Sequence, residues 1–529
     1  MSAQTPLVRL GFVLCWLCAS TALPAAAAPG GKDLGHAADL IEALQLEEAG
    51  KVLRGLEAAY PASAPVEFQR ALLAFYGGDY AAALELSSRA VEQLGDAQAP
   101  KDWLATRDLI RSTYEATRNY VHETSPDGRY QVAFPAGEDR VLLPYAFAVL
   151  ARMDNVLKNV VGMPVPGPIR LELYPTASAL SRVSTLTLEQ IETSGTVALC
   201  KWNRLMVTSP RALVRGYPWV DTIAHELTHL YLSFATQERA PVWLQEGTAK
   251  LLERRWRDPN AGFELDPTSR ALLLKATRDG KLLTFDQLHP SIALLPSQDD
   301  ATLAFAQVST FMNTFVIEHG ERALRDAFTQ IAHGTDARDA LSRAASLRFA
   351  ELERNWKASL PKASPTNAPR KIARRFRAGG SADAPDEAQD VAVSEARRFL
   401  RIGDLMWSRR HVRGAMLEYQ KAHRADSDDP IVAARLARAA LEAGDPSRSI
   451  AALEPLLVRY PEHAPTHAVR GAALQELGRN EEAHASLLEA IRINPFDPDP
   501  HCRLQRIAQD PKEAEVERAA CSLLNAGVR

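Results

Sequence analysis

A spacing of 34 residues recurs near both ends of the chain, and it restricts the possible folds more than any other feature. The small residues with this spacing in the C-terminal third are Gly403, Ala437 and Gly471, followed twelve positions later by Ala415, Ser449 and Ala483. Small side chains at fixed places allow two antiparallel helices to approach closely, and 34 residues is the length of one helix–turn–helix unit. Because such a unit buries its apolar face only against a neighbour, the pattern predicts stacked helical pairs.

The same spacing is present near the N-terminus, where Ala37 and Ala71 form one pair and Ala49 and Ala83 another. Both regions resemble tetratricopeptide (TPR) arrays. The resemblance implies about two repeats over residues 32–95, and three repeats with a terminal helix over residues 393–527. It also implies that a protein partner binds through the repeats.

Residues 225–229 read His-Glu-Leu-Thr-His and indicate a metal site between the two repeat regions. On an α-helix, His225 and His229 share one face, and Glu226 lies beside them. A catalytic zinc ion takes three protein ligands and keeps one position open. Glu246, in the downstream segment Trp-Leu-Gln-Glu-Gly, is the expected third ligand. We therefore predict one zinc ion per chain, with Glu226 as the general base that accepts a proton from a zinc-bound water.

An alternative places the two histidines as polar residues on a helix surface and Glu246 as an acid at a helix start. A bare motif of this kind arises by chance in roughly one such chain in fifty, so the flanking sequence must support the interpretation as a metal site. The flanking segments 221–224 and 230–232 are mostly apolar, which predicts a buried helix. Two histidines and a glutamate without a function are rarely found in a buried helix.

The motif with Trp243-Leu244-x-Glu246-Gly247-x-Ala249 downstream resembles the gluzincin branch of zinc metallopeptidases, in particular bacterial peptidase MA-like domains. The resemblance covers roughly residues 125–360. It implies an α+β zincin-like lobe with a mostly helical second half, a zinc endopeptidase activity, and an edge strand that binds an extended substrate. The family usually adds a tyrosine or histidine that stabilises the oxyanion, and this chain has Phe305 where related domains often carry that tyrosine.

Alternation and β-rich composition predict strands at 129–134 and 169–174 and a hairpin over 196–208 that turns at Trp202-Asn203. The apolar stretch 141–161 between the first two strands predicts a helix. After Glu246 the pattern is helical throughout, with helices expected at 305–319, 322–332 and 349–360.

The first residues have the pattern of an export signal, with Arg9 before an apolar stretch at 10–23 and small residues at 24–28. We expect a periplasmic or secreted bacterial protein without stable membrane insertion after cleavage. An uncleaved membrane anchor is the alternative. The predicted divisions are a signal peptide at 1–28, a TPR-like region at 29–120, a peptidase domain at 121–360, a linker at 361–392 and C-terminal repeats at 393–529. The linker is rich in proline, glycine and arginine, which favours a solvated segment over a docking site for an acidic partner. Because few contacts need cross such a segment, we expect the C-terminal repeats to fold independently of the peptidase domain.

Two classes of function remain open. One is an exported zinc peptidase whose repeats hold protein or peptide substrates, and the other is a TPR scaffold with a weak or inactive peptidase-like domain. The net charge of −3 argues against nucleic-acid binding. The spacing of Cys502 and Cys521 allows either a disulfide across a helix hairpin or two buried thiols.

Overall fold

The computed structural model describes residues 31–288, 292, 295–360, 369–370, 374–377 and 386–526. The predicted signal peptide and most of the predicted linker lie outside these residues. Within the described part of the chain, no helix combines the length and the apolar character needed to cross a membrane.

The N-terminal region folds into five helices, of which the first four form two antiparallel pairs. Their bounds are α1 Gly31–Glu42, α2 Leu46–Ala59, α3 Ala64–Gly77, α4 Tyr80–Leu94 and α5 Lys101–Thr117. The four alanines of the 34-residue pattern are fully buried between these helices, at 0% exposure each. The small residues therefore have the packing role that the repeat pattern predicted.

A five-stranded mixed sheet follows, with the strand order β1-β2-β3-β5-β4. Its elements are β1 Tyr120–Thr124, β2 Tyr130–Pro135, α6 Leu143–Val161, β3 Ile169–Tyr174, α7 Ala177–Val183, α8 Leu188–Ser194, β4 Ala198–Lys201 and β5 Arg204–Thr208. The hairpin turns at Trp202 and Asn203, which both have positive φ. β1 was not predicted, because its short, half-exposed sequence Tyr-Val-His-Glu-Thr lacks an apolar alternation.

Buried charges join the N-terminal helices to this sheet. Tyr80 of α4 donates a hydrogen bond to Glu172 of β3, and Arg170 of the same strand donates to the carbonyl of Tyr76 over 2.6 Å. The guanidinium of Arg204 in β5 is fully buried and lies 3.3 Å from the Glu172 carboxylate. Breaking such a cluster would leave an uncompensated buried charge, so these contacts fix the first repeats on the sheet.

The second half of the peptidase region is helical, as predicted. Its helices are α9 Trp219–Thr236, α10 Val242–Leu252, α11 Pro267–Arg278, α12 Gln298–Ala332, α13 Ala337–Ala345 and α14 Phe349–Ser359. The helices expected at 305–319 and 322–332 form one longer element that begins at 298, where the Ser297 side chain caps the helix. A break with non-helical φ and ψ at Gly320 separates the two predicted parts.

Eight helices form the C-terminal array: α15 Ser394–Ser408, α16 Val412–Ala425, α17 Pro430–Glu442, α18 Pro446–Leu457, α19 Ala464–Glu476, α20 Asn480–Ile493, α21 Pro498–Ile507 and α22 Pro511–Ala526. The expected single terminal helix is therefore a pair, because the chain turns between α21 and a second helix that starts at Pro511. A disulfide between Cys502 and Cys521 connects the two helices of this pair.

The C-terminal array shares a core with the peptidase region, which corrects the expectation that few contacts join them. Ala520 and Leu524 of α22 belong to the same buried cluster as the sheet and α9. The backbone N–H of Tyr217 donates to the carbonyl of Ile493 over 3.0 Å, and the indole of Trp219 donates to the carbonyl of Ile491 over 3.3 Å. The segment that leads into α9 is thus held by the last turn of α20.

Part of the basic run in the predicted linker is also packed rather than solvated. Arg375 accepts a backbone hydrogen bond from Val214 over 3.0 Å, and Arg377 donates one to Ala212 over 2.8 Å. Earlier in the same run, the Arg370 guanidinium contacts the carboxylate of Asp426 in the C-terminal array. These described residues tie the array to the segment just before α9.

Candidate metal centre

Two buried helices bring the predicted ligands together. α9 is apolar on nearly all sides, so it lies inside the lobe and presents His225 and His229 on one face. α10 begins after Pro241 and carries Glu246 in its second turn. A Cβ on Gly247 would lie 2.7 Å from the carbonyl oxygen of Val308, so only glycine allows α12 to approach α10 beside Glu246.

The three predicted ligands form one compact group. The Nε2 atoms of His225 and His229 are 3.1 Å apart, and Glu246 Oε2 lies 3.3 Å and 3.5 Å from them, respectively. Tetrahedral ligands with zinc bonds of about 2.1 Å are about 3.4 Å from one another. Two imidazole nitrogens and one carboxylate are also a donor set that zinc takes. Among the described residues, this is the group identified as able to hold a metal ion, and the residues fit zinc.

Glu226 lies next to this group and is almost completely buried, with 6% of its surface exposed. Burial raises the pKa of its carboxyl group, and the neighbouring His229 and His225 oppose that rise. A carboxylate with a raised pKa is a better proton acceptor near neutral pH than an exposed glutamate. The position therefore suits the predicted general base.

Glu253 contacts the other side of the first ligand. Its Oε2 is 3.2 Å from His225 Nδ1, and its Oε1 accepts a hydrogen bond from Lys250 over 2.7 Å. A carboxylate on the second ring nitrogen fixes the orientation and tautomer of a metal-binding histidine. Glu253 follows Glu246 by seven residues, which is two turns of the same helix, so the spacing placed it on the face of Glu246 but did not indicate that it contacts His225.

Opposite charges dominate the electrostatics of this group. Burial alone would lower the pKa of His225, but hydrogen bonds to Glu246 and Glu253 raise it to about 10. Burial would likewise raise the pKa of Glu253, but the ammonium of Lys250 and the imidazole of His225 lower it to about 2. The site is thus built to hold positive charge, as a cation-binding centre requires.

Asp221 lies one turn before His225 but does not contact it. Its carboxylate accepts a hydrogen bond from the indole of Trp256 over 2.8 Å and from Arg257 over 2.7 Å. Arg257 also donates to Glu489 of α20 over 2.8 Å. Asp221 therefore anchors the start of α9 to the end of α10 and to the C-terminal array.

Tyr231, two residues after His229, and Phe305 both pack elsewhere in the fold. Tyr231 is fully buried and donates a hydrogen bond to Asp154 of α6, on the side of α9 away from the ligands. Phe305 of α12 packs against the main core. Neither side chain supplies a hydrogen-bond donor to the metal group.

β4 is one of the two edge strands of the sheet and packs against α9. Cys200 in this strand is a free thiol near Glu226 and Glu238. Burial raises the pKa of this thiol well above its usual value, and the two carboxylates raise it further. The thiol therefore stays protonated at neutral pH, which disfavours a role as a nucleophile or a thiolate ligand.

Two helices with two histidines and two glutamates in this geometry define a zinc-peptidase-like fold. Residues 151–362 match the family model of the Peptidase MA superfamily. TPR-like helical repeats lie on both sides of the matched region, so the predicted resemblance is confirmed. No curated protein matches the chain.

Solved structures resemble the chain at low similarity. Native yeast LTA4 hydrolase has 12% identity and a TM-score of 0.31 over 77% of this chain and 66% of its own length. The first TPR of Spaghetti (RPAP3), bound to an HSP90 peptide, has 19% identity and a TM-score of 0.22 over 22% and 94% of the two chains. The APC/C hetero-tetramer Cut9–Hcn1 has 13% identity and a TM-score of 0.23 over 94% and 97%.

Glu253→Ala tests the positioning role of this carboxylate. We expect the variant to bind zinc about 10–100-fold more weakly, because His225 loses the acceptor that orients its ring. Glu246→Ala should weaken binding further, since it removes a ligand. Competition with a chromogenic chelator measures both affinities, and Glu264→Ala on the exposed loop after α10 is the control. Equal losses in the first two variants would show that Glu253 is itself a ligand.

Proposed function

We propose that the chain is an exported zinc-dependent endopeptidase whose TPR-like repeats bind proteins. The observation that carries the proposal is the convergence of His225, His229 and Glu246 within 4.8 Å, with Glu226 buried beside them. The peptidase MA match supports the same reaction class.

The chemistry follows from the positions of these side chains. His225, His229 and Glu246 would hold a zinc ion, which would supply the Lewis acidity that polarises a peptide carbonyl and acidifies water. Glu226 takes the proton from the attacking water and later donates it to the nitrogen of the leaving amine. Glu253 holds His225 in the orientation that directs Nε2 to the ligand group.

The edge position of β4 supports binding of an extended substrate. An edge strand has unpaired backbone N–H and C=O groups, which form hydrogen bonds with an added strand. Because β4 packs against α9, a peptide added at this edge would run past Glu226 and the ligand group. We therefore assign β4 as the substrate-binding strand, which favours an unfolded protein or peptide as the substrate.

The second candidate function is a TPR scaffold with a weak or inactive peptidase domain. The favouring observation is that Phe305 and Tyr231 provide no oxyanion donor. The intact base and its buried position favour the enzyme, since a carboxylate is costly to bury unless it has a role. Export to the periplasm or outside the cell remains part of the proposal and rests on the signal-like sequence at 1–28.

Metal content and cleavage test the proposal together. The chain lacking residues 1–28 should contain about one zinc ion per molecule, because the described residues bring one ligand group of zinc geometry together. It should cleave unfolded casein, and a chelator should abolish cleavage until zinc is restored. Elemental analysis and gel electrophoresis are the measurements. Failure to rebind added zinc would contradict the metal centre, and zinc binding without cleavage would favour the scaffold.

A further inference from the structure

The first helix pair of the C-terminal array carries an exposed apolar group on its outer side. Ile402 and Leu405 of α15 are 37% and 52% exposed, and Leu417 of α16 is 56% exposed. The inward faces of the same two helices place Leu400 and Tyr419 in a buried cluster with α17. The three exposed side chains are therefore not part of the packing between repeats, and they leave apolar area open to solvent.

Contacts between the two helices bring these side chains together. Two such contacts are those of Phe399 with Lys421 and of Met406 with Gly414. Ile402 and Leu417 each lie midway between the two contacts along their own helix, so they are opposite each other across the pair. Leu405 follows Ile402 by three residues and shares its face of α15. The exposed apolar residues thus form one continuous surface.

Arginines lie at both ends of this apolar surface. Four of them are exposed and form no ion pair with a described residue: Arg398, Arg409, Arg413 and Arg424. On each helix, the arginines are four or seven positions from an apolar residue of the surface, which continues the same helix face by one or two turns. The aliphatic side chains are therefore flanked by guanidinium groups on both helices.

The carboxylates of this helix pair and its neighbouring segments do not neutralise these arginines, because nearly all of them have other partners. The pairs are Asp386 with Arg401, Asp404 with Arg435, Glu418 with Lys421, Asp426 with Arg370 and Asp428 with Arg459. Glu395, in the first turn of α15, is exposed and forms no ion pair with a described residue. The four arginines outnumber it, so the surface is positively charged although the whole chain has a net charge of −3.

The chemistry of this surface indicates the kind of partner. A second copy of the chain would bring arginines against arginines, and like charges oppose such a contact. Protein interfaces typically depend on open aromatic anchors, but the rings of Phe399 and Trp407 lie under the guanidinium groups of Arg398 and Arg438. What stays open is aliphatic side chains between arginines. An anionic bilayer accepts both, since its phosphates pair with arginine and its headgroup region takes up aliphatic side chains.

We propose that this surface docks on a lipid bilayer that contains anionic lipids. The four arginines contact lipid phosphates, and Ile402, Leu405 and Leu417 enter the headgroup region. The contact lies on the membrane and does not cross it. Because the array and the peptidase region share a core, docking holds the candidate metal centre near the bilayer. The inference does not depend on peptidase activity.

Flotation of the chain lacking residues 1–28 with lipid vesicles tests the proposal. The chain should bind vesicles of equal parts phosphatidylglycerol and phosphatidylcholine, and it should not bind vesicles of phosphatidylcholine alone. Arg409→Gln combined with Arg413→Gln should weaken binding about 30-fold, because two arginines no longer attract the anionic surface. Ile402→Ser combined with Leu417→Ser should weaken binding at least about tenfold, because the insertion of apolar area is lost.

Matched pairs elsewhere in the array serve as controls and should bind as the unaltered chain does. Arg448→Gln with Arg518→Gln removes two exposed arginines, and Val458→Ser with Leu477→Ser removes two exposed apolar side chains. Equal binding to both kinds of vesicle, or no binding to either, would overturn the proposal. So would equal losses in the control pairs and in the surface variants. Stronger binding to poly-L-glutamate than to the anionic vesicles would assign the surface to an acidic protein instead.

Discussion

Glu226→Gln should retain zinc and lose about 10²–10⁴-fold of the rate of peptide cleavage. The glutamine amide has nearly the same shape as the carboxylate, so the buried position is filled without a cavity. The amide cannot accept a proton, and general-base catalysis typically contributes this range. Because His225, His229 and Glu246 are unchanged, zinc content should stay near that of the unaltered chain.

Cleavage of unfolded casein and elemental analysis measure the two effects separately. Glu189→Gln, on the exposed surface of α8, is a matched control that should change neither. Loss of zinc in the Glu226 variant would mean that this carboxylate is needed to keep the three candidate ligands in position. Undiminished cleavage would show that another group accepts the proton.

A chain truncated after Leu360 should unfold or aggregate, although the repeats were expected from the sequence to be separable. The truncation removes Ala520 and Leu524 from the main core and uncovers Trp219, which is fully buried in the complete chain. Each large apolar side chain that is exposed costs roughly 1.5–3 kcal/mol. Losing several of them is a large fraction of the 5–15 kcal/mol that typically stabilises a folded protein.

Solubility, circular dichroism and zinc binding of the truncated chain measure this outcome, and the complete chain should melt in one cooperative transition. A soluble, folded fragment that binds zinc would contradict the shared core. A pair of glycine variants in the complete chain provides an independent check. Gly216 and Gly128 have similar positive φ angles, of 70° and 73°.

The two glycines differ in their surroundings. A Cβ at Gly216 would lie 2.2 Å from the carbonyl oxygen of Ile493, whereas a Cβ at Gly128 would have nothing within 4 Å. Gly128→Ala should therefore cost only the backbone strain of about 1–2 kcal/mol. Gly216→Ala should destabilise the chain further, because it also forces the array away from the segment before α9. Equal melting temperatures would show that the junction is unimportant.

Local patterns were sufficient for much of this architecture. The spacing of His225 and His229 determines that they share a helix face, whatever surrounds them. The 34-residue pattern likewise predicts buried alanines such as Ala37 and Ala71, because paired helices pack closely only where the contacting side chains are small. Glu246 was identified by its motif, and the structure places it 3.3 Å from His225.

Contacts between elements that are distant in the sequence had no such signal. Glu253 contacts His225 because α9 and α10 cross at a particular angle, and Arg257 reaches Glu489 across 232 positions of sequence. The proline- and glycine-rich composition of 361–392 suggested a separable array, yet the array shares a core with the peptidase region.

The sequence by itself indicated the helical repeats and the candidate ligand set, because periodicity and spacing act within a few turns of one element. Only the tertiary structure decided which carboxylate orients His225 and how the array joins the lobe. Those outcomes depend on packing between elements that are distant in the chain, and composition does not specify which surfaces meet.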